Sequence, residues 1–163
     1  MYKKKMICLL SIGLLTACSH SPTQSQSVNS LGLPELDRTN TVEGIDADRN
    51  GIRDDIDGYI KNTYPAPEQQ KAVSQYARSL QSKLLIDHKD RNAVRASSKV
   101  SSKAIGCIYE KIPQGKSPNA ARVVQETLSL TTNTKQRLMA YLAYNKAMDG
   151  MVISLPSENV CED

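Results

Sequence analysis

From Ile52 onward, apolar residues return every third or fourth position, and prolines and glycines cut that pattern into segments. A period near 3.6 places such residues on one face of a helix, whereas a strand would alternate at two. Ile52, Ile56, Tyr59, Ile60 and Tyr64 outline a short first helix that stops before Pro65. Pro67 suits a first helical position, and Val73, Tyr76, Ala77, Leu80 and Leu84 mark one face of a second helix running to about Asp87. Ala93, Ala96, Val100, Ala104, Cys107, Ile108 and Ile112 mark a third, ended by Pro113 and Gly115. Ser117 with Pro118 reads as the cap and first turn of a fourth, through Val124, Leu128 and Leu130. Asn133 with Gln136 reads as a capping pair for a fifth, whose face is Leu138, Tyr141, Leu142, Asn145 and Met148 and whose stop is Gly150. Met151 to Leu155 is an apolar run that suits a short strand or an extended tail, ended by Pro156. The expected fold is all-α, a compact bundle of four to five helices.

At 163 residues the chain is the size of one domain. Its 39% hydrophobic and 23% charged content is globular, yet aromatics make up 4%, all seven of them Tyr. The core must therefore be aliphatic. Without Phe or Trp there is little to build an aromatic carbohydrate platform or a stacking surface for single-stranded nucleic acid.

The first residues have a different composition. Lys3, Lys4 and Lys5 precede a ten-residue apolar stretch from Met6 to Leu15, too short to span a bilayer as a stable helix. A basic start, a short apolar run and small residues at its end are the marks of a secretory signal. Leu15, Thr16, Ala17 and Cys18 then follow, and this quartet resembles a bacterial lipobox. The resemblance covers about 20 residues. It implies cleavage before Cys18, a diacylglyceryl group on its thiol and an acyl chain such as palmitate on its new amino group. Ser19, in place of Asp, implies sorting to the outer membrane of a Gram-negative cell. Each buried CH₂ contributes about 0.8 kcal/mol, so two or three acyl chains would hold the protein durably at the membrane.

That reading divides the chain into a signal peptide (1–17), a lipidated Cys with a flexible tether (18–45) and a calcium loop plus helical domain (46–163). The stretch SHSPTQSQSVNSLGLP, residues 19–34, has the polar, aperiodic composition of a spacer. Without Lys3, Lys4 and Lys5, Lys plus Arg falls from 21 to 18 against 17 acids, and the net charge from +4 to +1. Residues 35–63 carry eight acids and four bases, an acidic front to a mildly basic body. Cys8 leaves with the signal and Cys18 is acylated, so Cys107 and Cys161 remain for the folded part. In an oxidising envelope they are expected to form a disulfide tying the C-terminal tail to the third helix.

The strongest chemical signal is DADRNGIRDDID, Asp46 to Asp57. Oxygen side chains fall at loop positions 1, 3, 5, 9 and 12, namely Asp46, Asp48, Asn50, Asp54 and Asp57, with Gly51 at position 6. Six to eight oxygens at about 2.3–2.6 Å suit a hard cation such as Ca²⁺, and they converge only if the chain turns sharply at the sixth residue. Glycine permits that turn. The backbone carbonyl of Ile52 would supply position 7. This twelve-residue segment resembles the EF-hand calcium loop, with departures. Position 12 is Asp57 where Glu is usual, position 8 is Arg53 where an apolar residue is usual, and residues 37–45 carry no convincing entering helix. It is therefore more similar to the half-hands of dockerins and thrombospondin type 3 repeats, in which a loop feeds one helix. The longer segment GIDADRNGIRDDIDGYI resembles part of proteobacterial envelope proteins of unassigned activity, which implies none here.

Other constellations are weaker. Arg91, Arg95, Lys99 and Lys103 recur every four residues, a basic stripe that could meet lipid headgroups, lipopolysaccharide phosphates or an acidic partner and that ordinarily is a solvated face. An envelope location and a near-neutral mature charge argue against nucleic acid. His20 and His88 have no metal-spaced partner for zinc. Glu110 and Glu126 could be imagined as the acid and base of a wall-cleaving glycosidase, although surface Glu is the ordinary explanation of both. The leading expectation is a non-enzymatic, lipid-anchored envelope protein that presents a calcium-stabilised helical module to another envelope component, most plainly a protein. The alternatives are an immunity or exclusion lipoprotein acting against a toxin or phage, and a peptidoglycan hydrolase.

Overall fold

The computed structural model describes residues 35–162 except 114, 116, 117, 154, 155 and 157. The described residues form five helices, α1 (Asp54–Thr63), α2 (Pro67–Leu85), α3 (Arg91–Lys111), α4 (Ala120–Thr131) and α5 (Lys135–Ala147), and no strand. The fold is all-α, a helical bundle closed by one disulfide, as the periodicity predicts. The proposed signal, Cys18 and the residue 19–34 spacer lie outside the described residues, as do Ser154 and Leu155 of the apolar run.

Local chemistry sets the helix ends. Asp54, Asp55 and Asp57 occupy the first turn of α1 and Lys61 its last, each opposite in sign to the helix dipole there. Tyr64 adopts an extended conformation before Pro65, which excludes a further turn. Pro67 opens α2. The Asp90 side chain caps α3 by accepting from the amides of Asn92 and Ala93 at 2.9 and 3.1 Å.

α2 is the centre of the bundle and touches each of the other four helices, α3 most extensively. Small residues allow this. Ala72, Val73 and Ala77 are fully buried and let Ala104 and Ile108 of α3, Val123 of α4 and Ile56 and Ile60 of α1 close around them. Thr127 and Thr131 are buried on α4 because each hydroxyl donates to the carbonyl four residues back, at 2.8 Å.

Cys107 and Cys161 are bonded, with an S–S distance of 2.04 Å. The tail around Cys161 is held by more than this bond. Gln75 Nε2 donates to the Val160 carbonyl at 2.9 Å, and Gln75 Oε1 accepts from the Glu162 amide at 3.1 Å, so one side chain clamps both faces of the tail backbone. Val160 approaches α3 at Gly106, where a Cβ would stand 3.0 Å from the Val160 Cγ1 atom.

Four details differ from the periodicity. First, α4 is capped by Asn119, which accepts from the Arg122 amide at 3.0 Å, so Pro118 precedes the cap and does not form the first turn. Second, α5 is capped by Thr134, not Asn133, because the Asn133 amide is drawn into a buried network described below. Third, α5 is rotated. Leu138, Leu142 and Asn145 are exposed, while Arg137 and Tyr144, two turns apart, face inward. Fourth, Ala96 and Val100 of α3 point to solvent, and Val94, Ser98 and Ser101 take the inner row.

Candidate metal loop

Residues 46–53 run into α1 through two left-handed residues, Arg49 (φ +57°) and Gly51 (φ +82°). The second needs glycine twice over, since a Cβ there would also stand 3.1 Å from Arg78 Cγ. The turn folds the side chains back on their own backbone. Asp46 accepts from the Asn50 amide at 3.1 Å and the Gly51 amide at 2.9 Å. Asp48 also accepts from the Asn50 amide at 3.1 Å, and from Asn50 Nδ2 at 3.0 Å. Asn50 Oδ1 accepts from the Ile52 amide at 2.8 Å. Asp54 accepts from the Ala47 amide at 3.0 Å, and its own amide donates to the Ile45 carbonyl at 2.8 Å, which closes the loop at its base.

One carboxylate oxygen from each of Asp46, Asp48 and Asp54 lies within 4.8 Å of the others. Each carboxylate oxygen has lone pairs beyond the one given to an amide, so these hydrogen bonds orient the group without exhausting it. Asp46 also lines an open cleft of about 440 Å³ with Glu43, Gly51, Arg78 and Gln81. Ile52 is buried at 2% exposure and roots the loop in the core. Asp57, the twelfth position, is not part of the group of three. It lies in α1 and accepts from Lys61 one turn on, which raises the Lys61 pKa chiefly through that hydrogen bond.

Beneath the loop lies a network the sequence did not reveal. Arg53 and Arg137 are both fully buried. Arg53 forms two parallel bonds with Asp55, Nε at 2.8 Å and Nη2 at 2.7 Å. It also donates to the last carbonyls of α4, Leu130 at 3.1 Å and Thr131 at 3.2 Å, and to Asn133 Oδ1 at 3.1 Å. Arg137 donates to the same Asn133 oxygen at 2.9 Å, to the Asp37 carbonyl at 2.6 Å and to the Asp37 carboxylate at 3.3 Å. Desolvation lowers the Arg137 pKa, and the neighbouring Arg53 charge lowers it further.

These bonds correct the tether boundary. Residues 37–45 are docked on the body: Asp37 reaches Arg137, Asn133 and Asp55, the Val42 carbonyl accepts from Arg137 at 3.4 Å, and the Glu43 carbonyl accepts from Gln81 at 2.7 Å. Burial pushes the Asp37 carboxyl up, but the Thr39 amide and hydroxyl, the Ile45 amide and the Arg137 charge outweigh it and hold the pKa at about 2. Gly44, at φ +72°, lies so close to Arg53 that no side chain fits. One signal of this network was present in the sequence, the Arg at loop position 8 where an apolar residue is usual. Apart from Asp55, its partners Leu130, Thr131 and Asn133 lie 77–80 residues away and give no local sign.

The remaining candidates are dispersed. Arg91, Arg95, Lys99 and Lys103 are all exposed along α3. Glu110 pairs with Lys111 at 2.6 Å and Glu126 with Arg122 at 2.6 Å, on different helices. A His88 ring nitrogen lies 2.8 Å from the Lys83 carbonyl. No helix of the described residues is long and apolar enough to cross a membrane. The chain matches no protein-family model, no curated protein and no solved structure.

Proposed function

We propose that this chain is a lipid-anchored envelope protein, acylated at Cys18, in which residues 46–57 hold a constitutive calcium ion and the helical body serves as a binding or accessory module without catalysis. The observation that carries the calcium reading is the convergence of Asp46, Asp48 and Asp54 within 4.8 Å on a loop turned at Gly51. Asp46, Asp48 and Asp54 would supply carboxylate oxygens, Asn50 an amide oxygen and Ile52 its carbonyl. Asp57 would join by exchanging Lys61 for the ion. Without a cation, three clustered carboxylates repel one another, and a divalent ion removes that cost. The anchor reading rests on the basic start, apolar run and LTAC quartet at residues 3–18.

Extracytoplasmic calcium modules bind at about 10⁻⁴–10⁻³ M. At a Kd near 10⁻⁴ M, about 1 mM calcium would stabilise the fold by about 1.4 kcal/mol, a rise in Tm of about 5 °C. Melting in calcium and in chelator tests this, with Asp46→Ala expected to remove the difference. Equal melting of the parent protein in both would refute the ion site. Mass spectrometry of the Cys18 peptide from envelopes tests the anchor, and an unmodified thiol there would refute it.

A further inference from the structure

The rotation of α5 leaves an apolar face turned to solvent. Leu138, Met139 and Leu142 are 44%, 55% and 48% exposed. Lys135 and Lys146, also exposed, stand on that same outward side, one about a turn before these three and one about a turn after. The helix contains no acidic residue. Beyond it, Val152 and Ile153 are exposed as well, at 88% and 43%. The helix is thus held inward by Arg137 and Tyr144 and carries its large apolar side chains outward around Leu142.

We infer that the outward face of α5 lies on an anionic phospholipid surface, with Leu138, Met139 and Leu142 among the upper acyl segments and Lys135 and Lys146 on the headgroups. Charge selects this occupant. A helix with apolar side chains between lysines complements anionic lipid, and long Lys stems let the ammonium reach the headgroup level. A second copy laid symmetrically on the same face would bring lysines against lysines with no acid of α5 to receive them. Area argues the same way. Three side chains about half exposed offer on the order of 300 Å², well under the roughly 800 Å² per partner of a standard interface. Contact of that size needs help from local concentration. Here the inference rests on the proposed anchor, because acyl chains at Cys18 would keep α5 within tether reach of one bilayer.

The test is photocrosslinking of the full chain in Gram-negative envelopes with p-benzoylphenylalanine at Met139, and at exposed Gln125 of α4 as control. The expected result is a phospholipid-mass adduct on the peptide bearing residue 139 and none at 125. Adding Leu138→Glu with Leu142→Glu, two exposed sites at which the change is expected to leave the melting temperature within about 2 °C of the parent, is expected to lower the adduct yield at least fivefold. A crosslinked dimer, an adduct to another protein, no adduct at 139, or equal adducts at both sites would overturn the inference. The Cys18 peptide from the same sample separates the two readings. Acylated Cys18 without a lipid adduct at 139 sinks the α5 contact alone, and an adduct with unmodified Cys18 sinks the anchor alone.

Discussion

Replacing Arg53 by Met should be among the most damaging single changes in the folded domain, and replacing its partner as well should partly repair it. Arg53 is fully buried, and Asp55, which receives two of its N–H groups, is 8% exposed. Removing the guanidinium leaves a buried carboxylate without its counter-charge, for which the cost is about 3–5 kcal/mol. Asp55→Leu alone leaves the converse orphan, at similar cost. In the Arg53→Met/Asp55→Leu double variant no net charge is stranded. What is lost is the cap on the Leu130 and Thr131 carbonyls and the acceptor for the Asp37 amide. An orphaned polar group costs about 1–3 kcal/mol, part of which added apolar burial offsets, so the double variant should lose about 2–4 kcal/mol. The two singles together should lose about 6–10, which implies a coupling of at least about 2 kcal/mol. Urea unfolding followed by far-UV circular dichroism at pH 7 in chelator measures all four proteins, and a domain stable by about 5–15 kcal/mol leaves room to do so. Additivity within about 0.5 kcal/mol, or an Arg53→Met cost below about 1, would refute the reasoning.

Reducing the Cys107–Cys161 bond, which spans 54 residues, should cost about 4 kcal/mol by loop entropy, read as a lower urea midpoint. Burial pulls the Lys83 pKa down to about 8 from 10.5, so at neutral pH the folded state carries a charge it disfavours. Stability should therefore rise between about pH 8 and 10.5. Lys83→Met should flatten that rise and add about 1–3 kcal/mol at pH 7, the loss of the Lys83 contact with the Tyr144 ring being the main offset. Asp37 acts in the opposite sense. Its contribution is complete above about pH 4 and lost as pH falls toward 2, and Asp37→Asn should blunt acid unfolding in that window while lowering stability at pH 7. Gly51→Ala should lower Tm by an amount equivalent to about 1–2 kcal/mol, because it forces a Cβ into left-handed backbone and against Arg78. An unchanged Tm would show that the turn tolerates a side chain.

Where local rules act alone, the sequence was readable. Pro65 and Pro67 divide α1 from α2, Pro113 follows the end of α3, and Cys107 and Cys161, the two cysteines among the described residues, are bonded to each other as expected. Periodicity failed where a distant partner set the orientation. The apolar positions of α5 outline a face at Leu138 and Leu142, yet Arg137 faces inward because Asp37, 100 residues earlier, and Asn133 receive it. A buried arginine resembles a surface arginine in a one-dimensional pattern. Residues 37–45 were read as tether for the same reason, since a segment held by carbonyls and one carboxylate needs no apolar repeat. The turn at Gly51 and the clustering of Asp46, Asp48 and Asp54 were legible in the Asp spacing and the glycine. Asp57 stands outside that cluster because it accepts from Lys61 one helical turn away.

The amides that already point at Asp46, Asp48 and Asp54 decide how a visiting cation would be felt. Their hydrogen bonds fix the ring of oxygens in place, and Ile52 below and Arg78 alongside, donating to the Asn50 carbonyl at 3.1 Å, hold the ring against α1 and α2. Under the proposed calcium reading, a loop held in this way would change little in shape on taking up the ion. Whatever reads the loaded protein would sense a stiffer object, not a differently bent one.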